Sequence, residues 1–309
     1  MTANPIPSHP SPHQILNTLD SLELVGLPEG TTILLLHDGL RWTQRLSKTR
    51  TRYRSYLHAL SQALATREDV LIVKLPRWGH ISQLLRKGVL LTSAEFLLVV
   101  QHDLPFERTV DVRSILEFMQ DEPGIRHVRF NLRTNLPQGQ DAMTTLKAQK
   151  VTENRTDFFQ QHESQSRYSV PLVRTLAWSD NNFLCPRWYL EKVILGPIGN
   201  LRMAPEWAMN GLNRPENHSI LGTFIAGTIG DLPVISHTDG RNSSVGAEYQ
   251  TLVERSYGTR RWVGKVKAPF FFARRALSLI VFRAKIALVA RRAQRLWRRP
   301  LGPRILADN

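Results

Sequence analysis

The sequence predicts an α/β fold built around a mostly parallel β-sheet. Short, continuous apolar runs alternate with segments of helical period over the first 132 residues. Strands that are covered on both faces have continuous apolar sequences, and helical crossovers between them are typical of parallel sheets. The 309 residues are 42% hydrophobic and 22% charged, which is ordinary for a folded protein. We therefore expect a sheet sandwiched by helices.

Four strands and three helices are expected to alternate in this region. The predicted strands lie at residues 31–36, 70–75, 96–100 and 126–132, and the predicted helices at residues 50–65, 81–91 and 110–120. Residues 134–170 are polar and lack a clear period, which indicates a long loop or an insertion. The glycine-rich stretch at residues 222–230 is predicted to be a closely packed helix, followed by a short strand at residues 233–236.

The net charge of +15 is concentrated near the C-terminal end of the chain. Residues 255–304 contain fifteen Lys and Arg and no acidic residue, which leaves 26 basic and 26 acidic residues elsewhere. We therefore expect a disordered lead at residues 1–13, a neutral folded body at residues 14–257 and a basic helical tail at residues 258–309. The single cysteine excludes an internal disulfide framework and a cysteine-rich zinc module.

The tail has the pattern of an amphipathic helix over residues 268–299, with large apolar side chains on one face and arginines mostly on the other. Such a helix is typical of a membrane interface, so we expect a cytoplasmic protein bound peripherally to an anionic membrane surface. Packing on the body or on a partner is an alternative. Binding to nucleic acid is less favoured, because the apolar face is larger than phosphate binding requires. No run of ~18 uncharged apolar residues exists, so a membrane-spanning helix is not expected.

Polar side chains follow three of the predicted strands at the points where those strands end. They lie at residues 37–39, 76–80 and 101–103. In open parallel sheets, ligands bind outside the carboxyl ends of the strands. An acid placed directly after a buried strand, such as Asp103, suits a hard divalent cation. Capping of the following turn is the structural alternative for that carboxylate.

Residues 88–103, GVLLTSAEFLLVVQHD, resemble the inverting glycosyltransferases of the GT-A fold, the family 2-like group. In that family the segment runs from a glycine-ended helix to an apolar strand and an Asp-x-Asp motif. Gln101, His102 and Asp103 occupy the three motif positions here. The resemblance covers residues 30–245 and implies a GT-A-like, Rossmann-like fold. The neutral Gln101 is a departure from the motif and indicates a divergent subgroup.

The resemblance also implies a donor site for a nucleoside-diphosphate-sugar. Asp103 would lie near a diphosphate bridged by a divalent metal, Mn²⁺ or Mg²⁺, and His237 would supply the metal ligand that Gln101 cannot. Arg86 stands near the motif glycine, where a guanidinium can bind a diphosphate through two hydrogen bonds. The nucleotide-sugar residues implied are Asp38, Gly39, Arg41, Arg86, Gln101, His102 and Arg241.

An aromatic and polar cluster at residues 178–182 indicates an acceptor site. The indole of Trp178 would contact the apolar face of a sugar ring, while Asp180 and Asn181 would bind its hydroxyl groups. A turn beside a core tryptophan is the structural alternative.

Residues 205–209, PEWAM, have the sequence of a helix start, with proline first and an acid in the first turn. Helix capping is therefore a sufficient structural reason for Glu206. Inverting GT-A enzymes also place the catalytic base at such a helix start, so Glu206 is our first choice for the base. Asp180 is the second choice and Glu216 the third.

These features predict an enzyme, a glycosyltransferase that moves a sugar from a nucleoside-diphosphate-sugar to a carbohydrate or lipid-linked acceptor with inversion and with help from a metal. Two alternatives stay open. One is a non-catalytic protein that binds membrane or nucleic acid, and the other is a nucleotidyltransferase.

Overall fold

The structure is a computed structural model of the 309-residue chain. The residues it describes are 1–3, 11–45, 48–136, 159–162, 168–176, 178–209, 212–238 and 284–297.

The described residues form a sheet of eight strands in two hydrogen-bonded parts. The strands are Thr2–Ala3 (β1), Ile33–His37 (β2), Val70–Lys74 (β3), Phe96–Val99 (β4), His127–Arg129 (β5), Leu172–Arg174 (β6), Phe183–Pro186 (β7) and Thr223–Ala226 (β8). Their order is β3-β2-β1 in one part and β4-β7-β5-β8-β6 in the other. A parallel bridge between Thr2 and Gln101 joins the two parts. Only β6 and β7 run antiparallel to their neighbours, so the predicted α/β class with a mostly parallel sheet is confirmed.

Helices cover the sheet and connect its strands. They are His13–Asp20 (α1), Trp42–Arg45 (α2), Lys48–Ala63 (α3), His80–Leu90 (α4), Val112–Asp121 (α5), Gly196–Ile198 (α6), Pro205–Met209 (α7), His218–Leu221 (α8) and residues 284–297 (α9). Ser21–Val25 and Pro215–Asn217 are 3₁₀-helical, and Tyr189–Leu195 is π-helical.

The sequence explains why α4 and α5 pack closely on the sheet. Asp111 caps α5 by accepting a hydrogen bond from the backbone N–H of Ser114 at 3.0 Å. In α4, a Cβ atom on Gly88 would lie 2.8 Å from Leu36 Cδ1, so only glycine lets this helix approach β2 without displacing that side chain. Asp111 therefore marks the start of α5, and Gly88 lets α4 pack directly on β2.

Two large apolar clusters form the core. One lies around α1, α3, α5 and the strands next to them, and contains Leu35, Ile115 and Phe130. The other lies around α4, β7 and the π-helical segment, and contains Trp178 and Tyr189. Strands β5, β7 and β8 are buried along their whole length, including the polar side chains of His127 and Arg129 in β5.

Two local expectations are wrong. The glycine-rich stretch predicted as a helix contains β8, whose four residues are all buried in the sheet. The glycines that suggested close helix packing lie outside that strand, and Gly222 instead has φ +52° next to the Gly124 backbone. The lead predicted to be disordered begins with a strand, because Thr2 and Ala3 pair with Leu36 and His37. Residues 4–10 of that lead lie outside the described residues.

The described part of the basic tail packs on the body. In α9, Val289 and Ala293 are 0% exposed and belong to the same cluster as Trp178. Ile286 and Trp297 pack against that cluster as well. The apolar face that suggested membrane binding is thus occupied by the body over residues 284–297, which corrects that prediction there. Residues 268–283 lie outside the described residues.

None of the helices in the described ranges combines the length and the apolar character that a membrane span needs.

The packing of α9 can be tested with two neighbouring residues. Val289→Asp should lower the free energy of unfolding by about 3 kcal/mol, because it places an unpaired carboxylate in the core. Leu288, which is 39% exposed on the same helix, is the matched control position. Leu288→Asp should change the free energy of unfolding by less than about 1 kcal/mol. Urea unfolding measures both, and equal effects would contradict the docking of α9.

Candidate active site

Asp103 and His237 lie side by side at the carboxyl end of β4. Residues 234–238 run antiparallel to residues 103–107, with a bridge between Phe106 and Ile235. The backbone N–H of Thr238 donates to Asp103 O at 2.9 Å. His237 Nε2 is consequently 3.9 Å from Asp103 Oδ2. The structure therefore brings together the two residues predicted to bind the metal.

The surroundings of Asp103 fit a divalent cation held by few protein ligands. Its Oδ1 atom is buried without a hydrogen-bond partner among the described residues, and the nearest imidazole nitrogen, His102 Nδ1, is 3.6 Å away. Within the part of the chain that the structure describes, no group of three or more His, Cys, Asp or Glu side chains could hold a metal ion. One carboxylate and one imidazole nevertheless suit Mg²⁺ or Mn²⁺, which commonly complete their coordination with substrate phosphates and water.

Gln101 has a structural task that explains the departure from Asp at the first motif position. Its side-chain amide donates to the Asp180 carbonyl at 2.5 Å, and its backbone N–H donates to Asn182 Oδ1 at 2.9 Å. Asn182 Nδ2 in turn donates to Leu104 O at 2.7 Å. An aspartate has no proton to give to the Asp180 carbonyl at neutral pH. We call this set of hydrogen bonds between Gln101, Leu104, Asp180 and Asn182 the amide clamp.

The clamp holds Asp180 beside Glu206 of α7. Burial raises the pKa of Asp180 well above its ordinary value, and the charge of Glu206 and a hydrogen bond to it raise that pKa further. Burial also raises the pKa of Glu206, while hydrogen bonds from Ser179 and Asp180 and the charge of Arg129 act in the opposite direction. Asp180 is therefore the proton donor of the pair and Glu206 the acceptor. The charge of Asp103 also raises the pKa of Asp180, so Asp180 lies near the predicted metal ligand.

Arg129 and Ser179 take part in this site although the sequence did not single them out. Arg129 is a buried residue of β5, and its Nη2 donates to Thr175 Oγ1 at 3.3 Å. A buried arginine is rare unless a charge faces it, and Glu206 provides that charge. The sequence feature that could have identified Arg129 is its position within a predicted strand, since residues 127–130 are HVRF.

Asp38 stabilises the loop at the carboxyl end of β2. Its two carboxylate oxygens accept hydrogen bonds from the backbone N–H groups of Gly39, Gly79 and His80 at 2.7–3.0 Å. Gly39 is required there, because a Cβ atom would lie 2.3 Å from the Arg77 backbone. A contact of Asp38 or Gly39 with a nucleotide stays a prediction.

An aromatic row runs from this loop to α7. The guanidinium of Arg41 lies 4.6 Å from the ring centre of Trp78, a cation–π contact. The Trp78 and His80 ring centres are 5.7 Å apart, and those of His80 and Trp207 are 6.0 Å apart. Trp207 is 46% exposed and follows Glu206 directly. The row thus gives an accessible aromatic surface next to the candidate base, and the sequence analysis did not identify it.

Two predicted site residues, Trp178 and Arg86, have other positions or partners. The indole of Trp178 is 0% exposed and packs against His127 and Phe183, so it offers no face to a sugar ring. Arg86 donates to the carbonyls of Leu195 and Gly199, at 2.8 and 3.0 Å, and so caps a helical segment. These contacts correct the acceptor role of Trp178 and give the Arg86 guanidinium structural partners in place of a diphosphate.

The other candidates are placed as follows. Asn181 lies next to Asp180 and donates its backbone N–H to Ser179 Oγ at 3.3 Å. Glu216, the third choice for the base, is exposed and lies 3.8 Å from an Arg214 nitrogen. Arg241 lies outside the described residues.

Solved structures that are similar to this chain include the following three proteins. The mannosyltransferase PcManGT from Pyrobaculum calidifontis, in complex with GDP-Man and Mn²⁺, is 12% identical, with 99% of this chain and 77% of that chain covered and a TM-score of 0.44. S. aureus TarS 1–349 is 10% identical, with 86% and 74% covered and a TM-score of 0.41. Glucosyl-3-phosphoglycerate synthase from Mycobacterium tuberculosis is 14% identical, with 83% and 78% covered and a TM-score of 0.42.

No family model matches the chain, and no curated protein matches its sequence. Function is therefore inferred from the residues of the site.

His127 gives a pH test of the packing beneath the site. Burial lowers its pKa from 6.5 to about 3, and its Nε2 lies 3.0 Å from the Ser179 carbonyl. Between these two values the unfolded chain binds a proton that the folded protein does not. The contribution of neutral His127 to the free energy of unfolding is thus complete above pH 6.5. It declines as the pH falls towards 3, by about 1.4 kcal/mol per pH unit.

His127→Gln should remove this slope while keeping a hydrogen-bond donor. The free energy of unfolding of the variant should decline less steeply than that of the parent between pH 6 and 4, as measured by urea unfolding. The exposed His58→Gln is the control and should leave the slope unchanged. Parallel slopes for the parent and His127→Gln would show that His127 is protonated in the folded protein.

Proposed function

We propose that this protein is a glycosyltransferase that moves a sugar from a nucleoside-diphosphate-sugar to a carbohydrate or lipid-linked acceptor, with inversion. The observation that carries the proposal is the convergence of Asp103 and His237 with the carboxyl pair of Asp180 and Glu206 at the carboxyl end of the sheet. This convergence supports the proposal, because a single displacement at a sugar carbon requires a cation and diphosphate site beside a base.

Asp103 and His237 are the residues that would hold Mn²⁺ or Mg²⁺ together with the donor diphosphate. When bound, such a cation offsets the negative charge that develops on the departing diphosphate. Asp103 is well placed for this task because its backbone is fixed by Thr238 and its Oδ1 has no hydrogen-bond partner among the described residues. Asp38, Gly39, Arg41, Gln101, His102 and Arg241 stay our predicted nucleotide-sugar residues.

Glu206 would take the proton of the acceptor hydroxyl. The acceptor oxygen then forms a bond to the anomeric carbon while the bond from that carbon to the diphosphate oxygen breaks. Asp180 keeps its proton and donates a hydrogen bond to Glu206, so Glu206 is the carboxylate of the pair. Arg129 lies close enough for its charge to favour that carboxylate. The reaction inverts the anomeric carbon if Glu206 and the diphosphate lie on opposite sides of the sugar.

The aromatic row would bind the acceptor in place of Trp178. Trp207 is exposed and adjacent to Glu206 in the chain, so a sugar ring stacked on its indole would bring a hydroxyl group near the carboxylate. Asp180 and Asn181 stay the predicted partners for acceptor hydroxyl groups.

Donor binding is tested by thermal unfolding with a panel of nucleotides and nucleotide-sugars, with and without Mn²⁺. A ligand present at 100 times its Kd should stabilise the fold by about 2.7 kcal/mol. Stabilisation by one nucleoside diphosphate, increased by Mn²⁺ and lost in Asp103→Ala, is the expected result. Glu95→Ala, at an exposed acid just before β4, should retain it. Absence of stabilisation by every nucleotide would contradict the proposal.

Glu206→Gln tests the base. We expect turnover to fall about 10²- to 10⁴-fold with donor binding retained, because the amide cannot accept a proton while its shape is preserved. Glu216→Gln, at an exposed acid, is the matched control and should keep normal turnover. Full turnover in Glu206→Gln would reject this residue as the base. Donor binding by the parent without turnover on any acceptor would favour a non-catalytic binding protein.

A further inference from the structure

The sheet has a gap between β2 and β4. The two strands are neighbours only through β1, which consists of Thr2 and Ala3 and lies at their carboxyl ends. Towards the amino ends, a cavity of about 560 Å³ separates them. Its lining includes residues 30–34 and residues 96–100, so it follows the amino end of β2 and the length of β4. The gap therefore has the shape of a missing length of strand.

Backbone groups on both sides of the gap point into it. In β2, Ile33 N and His37 O bond towards β3, so the alternate residues Leu34 and Leu36 bond in the other direction, to Met1. The N–H of Leu34 and the C=O of Thr32 therefore face the gap. In β4, the carbonyl of Val100 accepts from Thr2 N at 2.8 Å, so the N–H of Val100 and the C=O of Leu98 face it from the opposite side.

The side chains around the gap are apolar and would be buried by an apolar segment. Leu34, Phe96, Leu97 and Leu98 are only half-buried, although β5, β7 and β8 in the same sheet are buried throughout. The layers above and below are also apolar, and the cavity lining there includes Leu85, Val89, Val112 and Leu116. A strand apolar on both faces would bury all of these surfaces.

The amino group of Met1 lies at the end of the gap, and Met1 is one of the residues that line the cavity. It is buried and donates to Leu34 O at 2.8 Å, and burial lowers its pKa from 8.0 to about 5. A peptide nitrogen at the same place would make the same hydrogen bond without a charge to desolvate. The interior position of this group thus suits a link to a preceding residue.

We propose that the gap between β2 and β4 is the binding site of an extended apolar segment that is joined covalently to the nitrogen of Met1 and runs parallel to β2. The register gives its length. Thr2 is opposite Leu36, which places Met1 opposite Leu35, and four preceding residues reach Thr31. The segment would bond to Leu34 and Thr32 on one side and to Val100 and Leu98 on the other.

Three extensions of the full chain test the proposal, each placed before Met1 and after a new initiating Met. Ile-Val-Ile-Val should raise the melting temperature by several degrees, because it fills the gap and bonds to both strands. Ile-Pro-Ile-Pro has similar apolar character but lacks two N–H donors, and Gly-Ser-Gly-Ser lacks apolar side chains, so neither should do so. Equal effects of the three extensions would overturn the proposal.

Hydrogen exchange locates the effect. The amides of Leu34 and Val100 should exchange at least tenfold more slowly with the Ile-Val-Ile-Val extension than with Gly-Ser-Gly-Ser. Unchanged exchange at both amides would overturn the proposal even if the melting temperature rose. If a fatty acid, or dimerisation of the parent chain, stabilises the parent while Ile-Val-Ile-Val does not, the gap binds that other occupant and the proposal is wrong.

The intact mass of the protein purified from cells that make it naturally is the direct check. A mass that includes at least four residues before Met1 is the expected result, and a chain that starts at Met1 would overturn the covalent link. The outcome does not depend on the proposed transferase activity, because none of these measurements uses a nucleotide-sugar.

Discussion

The hydrogen bonds of Asn182 determine the geometry of the candidate site. Its amide accepts from Gln101 N and donates to Leu104 O, so one side chain closes the loop after β4 onto the residues before β7. Asn182 is 0% exposed, and buried amide hydrogen bonds of this kind are costly to break. Asp103 on one loop and Asp180 on the other owe their mutual position to this clamp, and the pairing of Asp180 with Glu206 follows from it.

Much of the body could be predicted from sequence because most of its strands are apolar runs, and the motif at residues 101–103 pointed to Asp103, which lies beside His237. The position of Trp178 could not be predicted, since a tryptophan beside four polar residues looks the same whether its ring faces the core or the solvent. Arg86 is similar: its two carbonyl partners are more than one hundred residues away in sequence. Such side-chain directions depend on tertiary contacts that one sequence does not encode locally.

The basic, amphipathic sequence of the tail suggested a membrane-bound helix, but residues 284–297 pack on the body, and the difference has a physical reason. An amphipathic helix shows that one face needs an apolar partner, and it does not show whether that partner is lipid or protein. In α9 the partner is the cluster that contains Trp178 and Tyr189, and Arg292 lies against Gly199 at its edge. The net charge of residues 255–304 therefore affects solubility and attraction to anions. The position of α9 is determined by the packing of Val289.

The gap follows β4, whereas the candidate site lies beyond the carboxyl end of β4, and this separates their roles. At the carboxyl end, Thr2 N donates to Val100 O, and Thr2 O accepts from His102 N. These two hydrogen bonds hold the chain just before Asp103. At the amino end, β4 is held by β7 alone among the described strands. A segment that fills the gap would consequently add stability at Phe96–Leu98 without moving the Asp103 carboxylate. The candidate site is thus formed by contacts among the described residues. A strand in the gap would raise the free energy of unfolding and leave the candidate site unchanged.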